Sequence, residues 1–274
     1  MEDYSSFARL VDAIRPWLNH LVIVGGWAHR LHRLHPLANA LPYRPIRTLD
    51  ADIAFAVNAP LAGDLRAALR NAGFNEELSR EHTPPLTQYL LGDEDDGFYA
   101  EFLTPLQGDG LKRSGQPDDT VEKAGITAQK LRHIDLLLLA QWSVEIGPGI
   151  GVPVATNVNL LVPNPVSFIV QKLLIHKHRK PEKKKPQDVL YIHDTLELFG
   201  GSLDELRDLW HTQVRPAIPS KTATRVVMIA TELFGKVTDP IRDAARIPQD
   251  RQLRPELLQA LCKYGLEEVF GVGS

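Results

Sequence analysis

Residues 47–55 read Arg47-Thr48-Leu49-Asp50-Ala51-Asp52-Ile53-Ala54-Phe55, an apolar run broken at alternate positions by two aspartates. Strand side chains alternate between faces and rise about 3.3 Å per residue, so Asp50 and Asp52 would stand on one side, about 6 to 7 Å apart. The span 49–57 is therefore read as a strand with one acidic face. Working upstream, Pro36, Pro42 and Pro45 break the chain into a loop, and 21–24 is a short β-branched run closed by Gly25 and Gly26. Ala28, Leu31 and Leu34 then recur at helical intervals over 27–34. The local order is strand, double glycine, helix, loop, acidic strand, preceded by an amphipathic helix over 4–17 carrying Phe7, Leu10, Val11, Ile14 and Trp17.

Downstream, 61–72 reads as a helix ended by Gly73, and 87–91 and 98–103 as strands, the second carrying Glu101 at its middle. A Gly, Pro, Ser and Asp-rich loop is expected over 108–119, followed by an ambiguous apolar stretch, 131–144, and a strand over 152–162. Beyond Pro163 the strand signals stop, and helices are expected over 165–178, 187–199, 203–214, 222–234 and 255–264. The pattern predicts an α/β (α+β) chain: a mixed-sheet domain over 1–162 followed by an all-helical domain over 163–274. Trp17, Trp27, Trp142 and Trp210 are expected on apolar helical faces, in the core.

With 43% hydrophobic and 24% charged residues in 274, the chain falls in the range of folded globular proteins, which excludes disorder and collagen. Purely apolar runs such as 136–140 are far short of the roughly 20 residues of a membrane helix, so no membrane partner is expected. Cys262 stands alone, which excludes an internal disulfide and agrees with a cytoplasmic setting. A net charge of −3 gives the whole chain no field that draws nucleic acid. The local exception is His-Lys-His-Arg-Lys-Pro-Glu-Lys-Lys-Lys over 176–185, either a solvated loop or a phosphate-facing patch.

Asp50, Asp52 and Glu101 each interrupt an apolar strand. An Asp-x-Asp pair alone also suits the wet face of an edge strand, and a double glycine alone suits a tight turn. Together they carry more. Three carboxylates on neighbouring strands repel one another unless cations neutralise them, and an oxygen-only donor set suits Mg²⁺ or Mn²⁺ held jointly with substrate phosphates. Glycine lets backbone approach a polyanion, and free amides at a helix start favour phosphate. The three histidines His29, His32 and His35 are set aside as a metal site, because Pro36 ends their helix. Cys262 reads as a buried apolar residue.

At Gly25-Gly26, Asp50-Ala51-Asp52 and Glu101 the sequence resembles the polymerase-β-like nucleotidyltransferase superfamily. Gly-Gly-Trp-Ala and Arg-Thr-Leu-Asp-Ala-Asp look more narrowly like the bacterial group that includes AbiEii-type toxins of toxin–antitoxin pairs. The resemblance implies metal-dependent transfer of a nucleoside monophosphate from a triphosphate such as ATP to a hydroxyl of a tRNA, a protein or a small molecule, with an antitoxin protein as a further partner. Asp50, Asp52 and Glu101 would hold Mg²⁺ or Mn²⁺, and Glu101 would accept the proton of the hydroxyl. Gly25, Gly26, Arg47 and Thr48 would bind the nucleotide. Lys172 in Gln-Lys-Leu-Leu and Asp188 after the basic tract match the group's later positions and would join them, although by themselves they read as a snorkelling lysine and a helix cap. Residues 32–45 read as an insertion between the glycines and the acidic strand. A non-catalytic nucleotide-binding or antitoxin-partner module on the same fold is the alternative.

Overall fold

The computed structural model describes residues 4–79, 86–92, 97–111, 114–179 and 184–271. Contacts divide the chain into two units: Met1–Leu34 with Arg47–Pro163, and His35–Ile46 with Asn164–Ser274. Among the described residues the first is built on a mixed sheet of nine strands: β1 (Val22–Val24), β2 (Asp50–Ala54), β3 (Asn75–Ser79), β4 (Leu86–Leu91), β5 (Phe98–Pro105), β6 (Thr120–Lys123), β7 (Ile126–Leu131), β8 (Trp142–Ile146) and β9 (Val158–Val162). The order across it is β3-β4-β5-β2-β1-β9-β8, with β7 joined to β5 and β6 to β7. β2 runs parallel to β5 and antiparallel to β1, which sets it at the centre.

Alternation along the central strands gives the sheet two different faces. Ala51, Ile53, Ala100 and Phe102 enter the main core beneath the helices α1 (Ser5–Ile14), α2 (Gly25–His32) and α3 (Leu65–Asn71). There the indole of Trp27 stacks on Phe7 at 3.9 Å, and Trp17 donates its indole N–H to the Ala62 carbonyl at 2.6 Å. On the opposite face Val22, Val24, Ala54 and Leu103 form a small separate cluster with Ile134 and Leu137 of α4 (Ile134–Leu137). At about 25 cal/mol per Å² of apolar burial the first face, with the larger cluster, supplies most of the sheet's hydrophobic stabilisation, and the second carries the smaller cluster.

Several spans differ from their sequence reading. The helix expected from residue 61 starts at Leu65, because Asp64 caps it by accepting from the Ala67 N–H at 2.8 Å. The ambiguous stretch 131–144 divides into α4 and the start of β8, with His133 and Ala140 at positive φ on either side of the short helix. Trp142 thus lies on a strand, not a helix. β3, β6 and β7 were not anticipated: all three are rich in polar residues and take their order from pairing with a neighbour.

The described residues of the second unit's 164–271 stretch form helices, with α5 (Pro165–His176), α6 (Lys184–Leu198), α7 (Leu203–Leu209), α8 (Arg215–Ala217), α9 (Ser220–Phe234), α10 (Asp239–Ala245) and α11 (Pro255–Phe270). Asn164 caps α5 by accepting from the Ser167 N–H at 2.8 Å, with Pro165 in the first turn, where the missing N–H is harmless. Segment 35–46, part of the predicted insertion, belongs to this unit. Asn39 donates its N–H to the Leu198 carbonyl at 2.7 Å, Asp250 accepts from the Arg44 N–H at 2.7 Å, and His35 lies edge-on to Phe199. Burial lowers the pKa of His35 from its ordinary value. Among the described residues no helix is long and apolar enough to cross a membrane.

Candidate active site

Strand register brings the predicted acids together. In the parallel pair β2 and β5, Asp52 stands opposite Glu101 and Asp50 opposite Tyr99, so all three carboxylates lie on one face, beside the small α4 cluster. Neighbouring strands lie about 4.8 Å apart, which makes Asp52 and Glu101 adjacent side chains. The row continues outward: Gln88 on β4 stands opposite Glu101, and Glu77 on β3 opposite Gln88. The three acids are part-buried, a setting between bulk water and the interior.

Two neutral side chains donate to these acids. Thr48, just before β2, gives its hydroxyl proton to the Asp50 Oδ1, and Gln88 gives an amide proton to the Glu101 Oε1 at 2.5 Å. A carboxylate only accepts, so the amide nitrogen of Gln88 must be the atom turned toward Glu101. Thr48, expected at the nucleotide, directs its hydroxyl to this neighbouring acid. Gln88 was not anticipated. It lay on a span correctly read as a strand, but one sequence holds no register that would set it opposite Glu101.

The two glycines begin α2 rather than forming a turn ahead of it. Gly25 has φ +61°, in the left-handed region, and a methyl group there would overlap Asp52 Oδ2. Both conditions require glycine. The Asp52 carboxylate therefore lies against the first turn of α2, whose leading N–H groups have no partner within the helix. Carboxylates gathered beside a glycine that no side chain can replace fit a divalent cation shared with phosphate, and Asp50, Asp52 and Glu101 are the residues that would hold it. Arg47 is exposed, three residues ahead of Asp50. Of the histidines, His29 and His32 are buried, and the His32 Nε2 meets the Pro163 carbonyl at 2.7 Å.

Lys172 and Asp188 both lie in the helical unit and pair with each other. The ammonium is 3.1 Å from Asp188 Oδ1 and sits over the rings of Phe168 and Tyr191 at 5.4 and 4.9 Å, while Arg179 lies 3.3 Å from Asp188 Oδ2. Asp188 is 1% exposed and Lys172 4%, so neither is a surface cap or a snorkelling chain. In the basic tract Lys177 pairs with Glu232 at 2.6 Å, and residues 180–183 fall outside the described residues.

The same unit holds a second acidic group. His193, Asp194 and Glu197 bring one ligand atom each within 4.8 Å of the others. Arg251 donates to Asp194 Oδ1 at 2.5 Å, His193 Nδ1 lies 2.8 Å from the same oxygen, and Tyr43 donates to Glu197 Oε2 at 2.5 Å. The Arg251 guanidinium also stacks on the Tyr43 ring at 3.3 Å. Burial, followed by the Asp194 charge and the bond to Glu197, raises the pKa of the Tyr43 hydroxyl, and burial with the same Asp194 charge pushes up the thiol of Cys262. With the Asp194 charge already met by the Arg251 guanidinium, this group suits a cation poorly.

No curated protein matches the chain. Residues 2–215 match the family described as nucleotidyltransferase, and with most of its length covered the chain belongs to that family.

Proposed function

We propose that the chain transfers a nucleoside monophosphate from a nucleoside triphosphate to a hydroxyl group, using Mg²⁺ or Mn²⁺ held by Asp50, Asp52 and Glu101. The observation that carries this reading is the register that sets Asp52 beside Glu101, with Asp50 on the same face and Gly25 against Asp52. Bound there, the cation would neutralise the carboxylates and stabilise the charge that develops on the triphosphate.

The protein's own groups have distinct tasks. The first-turn amides of Gly25 and Gly26 would receive the outer phosphates, and exposed Arg47 would add a cation to them. Glu101 would take the proton from the acceptor hydroxyl as its oxygen bonds to the α-phosphorus. The bond from that phosphorus to the bridging oxygen breaks, and pyrophosphate leaves with the electron pair. Thr48 would keep Asp50 oriented throughout.

The acceptor is a hydroxyl of a tRNA, a protein or a small molecule. The likeness of Gly-Gly-Trp-Ala and Arg-Thr-Leu-Asp-Ala-Asp to AbiEii-type toxins extends the proposal to a toxin countered by an antitoxin protein. With Lys177 and Arg179 engaged by Glu232 and Asp188, the basic tract argues less for RNA than its sequence does.

Pyrophosphate release tests the reading. It should require Mg²⁺ or Mn²⁺ and fall by roughly 10³-fold in Asp50→Asn and in Asp52→Asn, because several kcal/mol of charge stabilisation is lost at about 1.4 kcal/mol per factor of ten. Undiminished release from either variant, with circular dichroism unchanged, overturns it.

A further inference from the structure

The row across the sheet contains one uncharged member between acids. Glu77, Gln88, Glu101 and Asp52 occupy successive strands at matched register, and Gln88 is the only amide among them. A carboxylate at position 88 would add two repulsions to the row, with Glu77 and with Glu101, and an apolar residue would leave Glu101 without this donor. An amide avoids both, because it gives a proton to Glu101 and brings no charge.

The bond is specific in its effect. It joins Nε2 of Gln88 to Oε1 of Glu101 at 2.5 Å, within a part-buried setting where a hydrogen bond is stronger than in open water. Without it the Glu101 carboxylate could turn about its terminal torsion, which is broad and has no firm preference. With it Oε1 accepts from the amide, and the turn of the carboxylate about that torsion is restrained.

We propose that Gln88 is the positioning residue for Glu101, holding its carboxylate in the orientation that serves the cation and the acceptor proton. This rests on the reading that Glu101 belongs to the active site. Gln88 touches neither substrate nor cation. It acts through Glu101, as partners outside the ligand set commonly do, where their removal lowers metal affinity or activity by about 10- to 100-fold.

The test uses the full chain and two probes, Mn²⁺ alone followed by electron paramagnetic resonance, and pyrophosphate release with a triphosphate and Mn²⁺. Gln88→Met keeps the bulk and removes the donor. It should weaken Mn²⁺ binding about 10-fold and lower kcat about 10- to 100-fold with KM for the triphosphate unchanged, a split that loss of a merely structural contact would not produce. Gln88→Glu keeps the shape and replaces the donor with a second carboxylate, and its kcat should fall at least as far. It decides the matter should Gln88→Met not fold. Wild-type kcat in a folded Gln88→Met or Gln88→Glu, while Glu101→Gln is impaired, overturns the role of Gln88 alone. Glu101→Gln with unchanged Mn²⁺ affinity and kcat overturns the assignment of Glu101, and the role of Gln88 with it.

Discussion

Two groups of acids, one on the sheet and one among the helices, are built in opposite ways. Asp50 and Glu101 receive protons from a threonine hydroxyl and a glutamine amide, while Asp194 receives them from Arg251 and Glu197 from Tyr43. A neutral donor orients a carboxylate and leaves its charge in place. A guanidinium at 2.5 Å cancels one. The contrast teaches that proximity of carboxylates does not by itself identify a cation site, because a charged donor such as Arg251 can already meet one of them. The helical group fastens segment 35–46 to α6.

The sharpest way to break the contrast is at Gly25. Gly25→Ala forces a left-handed residue, at about 1–2 kcal/mol, and sets a methyl group into the Asp52 carboxylate. Turnover should fall by roughly 10²- to 10³-fold, since even a 1 Å displacement of a reacting group can cost about 10²-fold. Activity close to wild type, measured by pyrophosphate release, would mean that the Asp52 position is not critical. In the helical unit the effect should be on stability instead. Asp194→Asn leaves the Arg251 cation without its carboxylate, and urea denaturation should register a loss of about 2–3 kcal/mol, below the usual range for a buried pair because Arg251 is partly exposed. An unchanged midpoint would erase the distinction between the groups.

The smallest effect concerns Tyr43. Tyr43→Phe should cost about 1 kcal/mol at neutral pH by removing its bond to Glu197. The folded chain keeps the phenolic proton to higher pH than the unfolded chain does. The contribution is therefore complete below about pH 10 and declines as pH rises above it, by up to about 1.4 kcal/mol per pH unit. Alkaline denaturation of Tyr43→Phe should show a shallower slope over that range. An identical slope would remove Tyr43 from the network's titration.

Much of this could be read from the sequence where side-chain period and position coincide. The alternation at Asp50 and Asp52, the glycines that close a β-branched run and Glu101 within an apolar strand are local patterns, and each predicts a face before any fold is known. The partners of those residues could not be read in this way. Gln88 reaches Glu101 through pairing of β4 with β5, and the destination of segment 35–46 depends on contacts with α6 and Asp250. Lys172 and Asp188 were legible as positions but not as a pair, since burial turns two surface-type residues into a single ion pair. Trp142 misled because an apolar stretch of its length suits helix and strand equally, and pairing of β8 with β9 decides between them.

The placement of segment 35–46 also orders events during synthesis. The chain leaves the first unit after Leu34, returns to it at Arg47 and leaves again after Pro163. Tyr43 precedes Glu197 by 154 positions, so at about 5–20 residues per second it emerges from the ribosome about 8–30 s before its hydrogen-bond partner. Asp52 and Glu101 emerge much closer together, and β2 can register with β5 while α6 is still unmade. Until α6 follows, 35–46 is a tethered loop whose aromatic ring and histidine await their shelter, and any helper that protects the nascent chain would meet it there.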